Sequence, residues 1–230
     1  MGDTKRPDRA ITIDEMLKCQ ELLETDWKQA SSKEERFGLA KMGVALCVGY
    51  SSGLRGEELA KMSLGGTLAV FKESVNHPRF PHVTVALRGR FKGETGEKNH
   101  HLILVPVTRS GLGNLTWVRR LLVTQAKAFD TVTGQLLGPK ARIRDLDPHL
   151  HGLLRRVQRL WPEVLGPSVD IEVSYSFGRS IRRGSTAQAQ NVRLPREVIE
   201  ANQRWRKVER AKGKTPGFGM METYTDVRAC

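Results

Sequence analysis

Two capping boxes, long stretches with apolar residues three and four positions apart, and a single pair of β-rich runs predict a mainly α chain with one small antiparallel hairpin, an α+β fold. Thr12 and Glu15 form the first capping box, and Met16, Leu23 and Trp27 then recur at helical spacing, so a helix covers about 12 to 29. Ser32 and Glu35 repeat the signature. The FGLAKMGVALCVGY that follows is apolar nearly all round, which predicts a buried second helix. Ser51 to Gly53 reads as a turn, with a short helix in GEELAKM after it. From Val70 the texture changes: VTVALRGRF and HHLILVPV are β-rich runs, separated by the polar, two-glycine tip KGETGEKN.

Helical texture returns beyond Gly113. LTWVRRLLVTQAKAF and HLHGLLRRVQRLW are amphipathic, and TVTGQLLGPKARIRDLDP between them carries Gly and Pro and reads as loop. GRSIRRGSTAQAQ is a helix ending near Asn191, and LPREVIEANQRW opens another with Pro195 in its first turn. AKGKTPGFG then leads to the tail METYTDVRAC. Residues 1–11 are expected to form a flexible leading segment.

The chain has 230 residues, enough to bury a sizeable core. Its 38 Lys plus Arg exceed its 25 Asp plus Glu, for a net charge of +13, and the isoelectric point is near 10. Such an excess concentrates polyanions at the surface and makes nucleic acid the leading partner class. Ribosomal proteins and binders of anionic membranes share the signature, so charge alone does not choose. Cys19, Cys47 and Cys230 lack CxxC spacing, which indicates neither a zinc site nor a disulfide framework, and free thiols fit a reducing intracellular compartment. No window approaches the apolar length of a membrane span.

Four features carry possible chemistry. In GLRGEEL, Arg55 and Glu58 stand three apart on a short helix; the pair is either an ordinary surface ion pair or an arginine aimed at a phosphate oxygen. In GRSIRRG, Arg179 and Arg182 are also three apart, with Gly178 and Gly184 leaving the backbone approachable, and Arg183 points elsewhere. Guanidinium forks match phosphate geometry and hold their charge at neutral pH. Lys92 lies at the start of the hairpin tip, with Lys98 across it; a solvated turn lysine is the plain alternative. Tyr224 sits in the polar tail, whereas Tyr50 lies in an apolar helix and is assigned to the core. Nearby guanidiniums would favour its phenolate and make it a nucleophile. Asp145 and Asp147 in RDLDP read as a turn, His149 and His151 as surface residues, and Trp27, Trp117 and Trp161 as packing residues. No metal site is expected.

Taken in order, these pieces resemble the tyrosine recombinase (phage integrase) family. GLRGEEL looks like its first box, RGRFKGE like its hairpin lysine, RSIRRG like its H-x-x-R-x-G box, NQRW like its later His or Trp position and Tyr224 like its tail nucleophile. The phrasing GRSIRRG is similar to that of crypton and DIRS-type mobile elements. The resemblance covers residue 12 to the C-terminus and implies one catalytic domain over 12–230, with the family's N-terminal core-binding domain absent. It implies catalytic roles for Arg55, Glu58, Lys92, Arg179, Arg182, Trp205 and Tyr224. Arg179 stands where the family commonly has His, and the gap from Trp205 to Tyr224 is long.

The implied reaction is DNA cleavage through a 3'-phosphotyrosyl bond and rejoining without cofactor, metal or ATP, as in recombination or integration of a mobile element. The implied partner is double-stranded DNA, held by a homotetramer, with a nuclear location if the host is eukaryotic. Arg90, Arg183, Arg155 and Arg156 are candidates for DNA contact, positioning the duplex without reading its sequence. The main alternative is a DNA-binding protein that keeps the fold without catalysis. A type IB topoisomerase and a basic RNA-binding protein are the others.

Overall fold

A computed structural model describes residues 9–78, 81–88, 100–106, 111–128, 134–138 and 141–202. The fold is mainly helical with a small antiparallel sheet. Helix α1 spans Ile13–Gln29 and α2 spans Lys33–Ser52, and both begin at the capping boxes read from the sequence. At α1, Thr12 Oγ1 accepts from the Glu15 amide at 3.1 Å while the Thr12 amide donates to Glu15 Oε2 at 2.9 Å. Two amides that a helix start leaves orphaned are thereby satisfied within four residues. Helix α2 is buried without a break from Met42 to Tyr50, as an all-round apolar helix must be. It stops at Gly53, whose φ of 58° lies in the left-handed region that costs glycine little.

Short helix α3, Gly56–Ala60, leads into β1, Met62–Ser63, and then α4, Leu64–Val75. Strands β2, His82–Arg88, and β3, His100–Pro106, form the expected hairpin, and β1 adds to its edge in the order β1-β2-β3, all antiparallel. Helix α4 replaces the β texture expected from Val70. Tertiary packing decides this: α4 lies on one face of β2, where Thr67 Oγ1 accepts from the Ala86 amide at 3.2 Å and Ser74 Oγ donates to Thr84 Oγ1 at 2.7 Å. Val83, Val85 and Leu87, at the alternate positions, enter the core with α2 and with α5, Asn114–Ala128.

Trp117 of α5 is fully buried, with its ring edge-on to Trp27 at 6.0 Å between centroids. The Arg120 guanidinium lies 4.6 Å from both ring centroids and 2.7 Å from Glu24. These tryptophans are packing residues, as their sequence context predicts, and Arg120 is engaged with them.

The remaining elements are a 3-10 turn at Ile143–Leu146, α6 at Asp147–Leu160, α7 at Ile171–Ser174, α8 at Phe177–Asn191 and α9 at Arg196–Asn202. Asp147 Oδ1 accepts from the Phe177 amide at 2.7 Å, which fastens the start of α8 to the start of α6. Residues 9–11, expected in a flexible leader, are instead part of the packed fold. Ala10 and Ile11 are buried, and the Ile11 amide donates to the Ser180 carbonyl at 3.2 Å. The Ile11 carbonyl oxygen lies 2.0 Å from where a Cβ on Gly184 would stand, so α8 meets this segment through a residue without a side chain. Among the described residues, no helix is long and apolar enough to cross a membrane.

Candidate functional site

The left-handed turn at Gly53 redirects the chain so that Arg55 becomes the residue before α3, and its amide donates to Glu58 Oε2 at 2.7 Å. The other carboxylate oxygen faces the same residue's side chain, with Arg55 Nη1 3.3 Å from Glu58 Oε1. Glu58 is thus held by its own helix start. From the far end of the chain, α8 brings Arg182 to the same place: its Nη1 donates to the Gly53 carbonyl at 2.7 Å and lies 3.9 Å from Glu58 Oε2. One carboxylate therefore stands between two guanidiniums from segments distant in sequence.

The burial of these groups differs, and the difference sorts them. Arg182 is 1% exposed and Glu58 3%, so each supplies the charge that makes the other's burial tolerable. The Arg55 side chain is 27% exposed and forms the solvent edge of the cluster. Arg179, one helical turn before Arg182, is exposed, and Arg183 is half-buried. The i,i+3 spacing therefore does not give Arg179 and Arg182 the same surroundings. Arg182 meets the Gly53 turn, and Arg179 lies at the surface.

Arg155 and Arg156 lie on α6 with acidic partners. Arg156 makes a bidentate pair with Asp26 of α1, at 2.6 and 2.9 Å, and Arg155 is ion-paired with Glu172 of α7. Asp145 pairs with Arg142 at 3.2 Å, His149 is exposed, and His151 Nε2 lies 2.9 Å from the Tyr175 carbonyl. Tyr50 is buried, as its apolar helix predicts. Arg90, Lys92, Lys98, Trp205 and Tyr224 lie outside the described residues.

Sequence reading missed two supports of the cluster. The first is the Gly53 carbonyl, which carries no side-chain signal. The second is Ile143, whose Cγ2 sits 2.9 Å from where a Cβ on Gly56 would be and 3.9 Å from one on Gly178. It fills the junction between the first turns of α3 and α8. Its apolar character within KARIRD was the one available hint. No protein-family model matches the chain, and no curated protein matches it.

Proposed function

We propose that this chain cuts and rejoins DNA through a phosphotyrosyl intermediate, in the manner of a tyrosine recombinase catalytic domain acting for a mobile element. The single observation that supports it most is the meeting of Arg55 and Arg182 on Glu58, since a scissile phosphate needs fixed positive donors from more than one segment. In this reading Arg55 and Arg179, at the solvent edge, take the nonbridging oxygens first. Arg182 joins them when DNA exchanges for its Gly53 carbonyl contact.

The Tyr224 phenolate, its proton lost to solvent, attacks phosphorus, and the bond from phosphorus to the 5'-oxygen breaks. Lys92 gives a proton to that oxygen, leaving a 5'-hydroxyl and a 3'-phosphotyrosyl diester. A 5'-hydroxyl then attacks in reverse and frees the tyrosine. Arg179 cannot accept a proton near neutral pH, so it acts as a donor only. Trp205 supplies its indole N–H to the same phosphate. The partner is duplex DNA, with a homotetramer assembled on two duplexes and, in a eukaryotic host, a nuclear site of action.

A second reading, a DNA-binding protein without cleavage, is favoured by the burial of Arg182 behind Gly53 and Glu58, which suits a structural arginine equally. A duplex nicked just beyond the cleavage point separates the two, because the short leaving fragment diffuses away and traps the adduct. Covalent adduct mapping to the Tyr224 peptide supports the transferase. Salt-sensitive binding without any adduct supports the second reading.

A further inference from the structure

The turn Ala141–Asp145 lies beside the Arg55 and Arg182 cluster and has no role in the chemistry above. Its placement follows from packing. Ile143 plugs the junction where Gly56 of α3 and Gly178 of α8 approach, and Leu146, three residues on, is buried in the core. The turn is tied further by the Ala141 amide, which donates to Gln135 Oε1 at 3.2 Å, and by the Asp145 amide, which donates to the Arg142 carbonyl at 3.1 Å. A segment anchored at both ends and through its middle presents its remaining side chains from a defined position.

Those side chains are Arg142 and Arg144, which flank the wedge and are both exposed. Ile143 touches the starts of α3 and α8, so the turn that carries the two flanking arginines packs against the segments that carry Arg55 and Arg179. Arg142 is 62% exposed and its partner Asp145 44%, an ion pair open to water that can be exchanged for a phosphate at little cost. Arg144 makes no side-chain hydrogen bond or ion pair among the described residues.

We infer that Arg142 and Arg144 grip backbone phosphates of the duplex next to the scissile linkage, as positioning residues that hold DNA in register without taking part in bond making. The choice of partner rests on the DNA-transferase reading, but the contact does not require cleavage. A guanidinium on a phosphate fixes orientation and carries no sequence information. Each contact also releases condensed counterions, so its signature is a salt slope.

The test is the affinity of the full chain for a duplex titrated with salt, for wild type and for Arg142→Gln with Arg144→Gln. The slope of log affinity against log salt should fall by about two, roughly 0.9 per phosphate contact. The Arg142→Lys with Arg144→Lys variant should recover most of it. Lys28→Gln with Lys33→Gln, which removes the same charge from exposed ends of α1 and α2, should leave the slope unchanged. An unchanged slope in the arginine variant, an equal drop in the lysine control, or tighter binding to single-stranded RNA of equal length would overturn the inference. Absence of adduct on the nicked duplex defeats the cleavage reading alone, because the slope is read without it.

Discussion

Arg182 Nη1 lies 3.9 Å from Glu58 Oε2, although the two residues belong to α8 and α3, with most of the fold between them in sequence. Both are almost completely buried, and Arg55 closes the cluster on its solvent side. Several outcomes depend on that arrangement and on the packing around it.

Glu58→Ala strips a buried cation of its counter-charge and leaves the Arg55 amide without its acceptor. Breaking a buried pair from one side costs about 3 kcal/mol or more, and the urea midpoint should fall accordingly. Glu58→Gln keeps an oxygen for the Arg55 amide and should cost clearly less. Equal midpoints for wild type and Glu58→Ala would show that the carboxylate does not hold the cluster.

Tyr224→Phe should abolish covalent adduct while duplex affinity stays within about twofold, because one hydroxyl is lost and no phosphate contact is touched. Denaturing gel electrophoresis after incubation with the nicked duplex reads the first effect, and fluorescence anisotropy reads the second. Adduct surviving in the variant assigns the nucleophile to another residue.

Stability should depend on pH through Glu15. Burial raises its pKa above the ordinary 4.5, and the hydrogen bonds from the Thr12 amide and from the Tyr175 hydroxyl, at 2.8 Å, only partly oppose this. A carboxyl with a raised folded-state pKa binds more protons folded than unfolded above pH 4.5. Its contribution to stability is therefore highest in acid and declines as pH rises through the folded value. Glu15→Gln should flatten this part of the stability curve while keeping an acceptor for the Thr12 cap. A curve with the same slope in both proteins would remove Glu15 as its source.

Gly184→Ala should destabilise the fold, since its Cβ would stand 2.0 Å from the Ile11 carbonyl oxygen and 2.9 Å from the Tyr50 ring. Overpacking of this kind typically costs about 1–3 kcal/mol. The new methyl can be accommodated only by pushing the 9–12 segment off α8, so hydrogen exchange at the Ile11 amide should quicken along with the loss in melting temperature. Unchanged exchange would mean that the segment does not depend on this approach.

Cys19 and Cys47 should resist thiol reagents in the native protein and react in denaturant. Both are fully buried, and burial pushes the Cys47 thiol up to about 12 and the Cys19 thiol higher still. The reactive form is the thiolate, which is then almost unpopulated at neutral pH. Rapid native labelling of either peptide, read by mass spectrometry, would contradict this burial.

The parts of the fold legible in advance are those built by neighbours in sequence. Thr12 with Glu15 and Ser32 with Glu35 start the first two helices where expected, and the β-rich runs pair as a hairpin. Helix α4 was not legible, because its early glycines give it little intrinsic preference and its hold on β2 comes through Thr67 and Ser74. At the candidate site the spacing of Arg55 and Glu58 foretold their contact, which spans less than one turn.

By itself the sequence determined the helix starts, the hairpin, the surplus of positive charge and the list of arginines able to grip a phosphate. Only the tertiary structure decided that Arg182 is buried on Glu58 while Arg179 is exposed, and that Ile143 packs at the junction of α3 and α8. Caps and periodicity act within a few residues, where order along the chain is order in space. The burial of a charge depends instead on a carbonyl and a carboxylate that packing alone brings within reach.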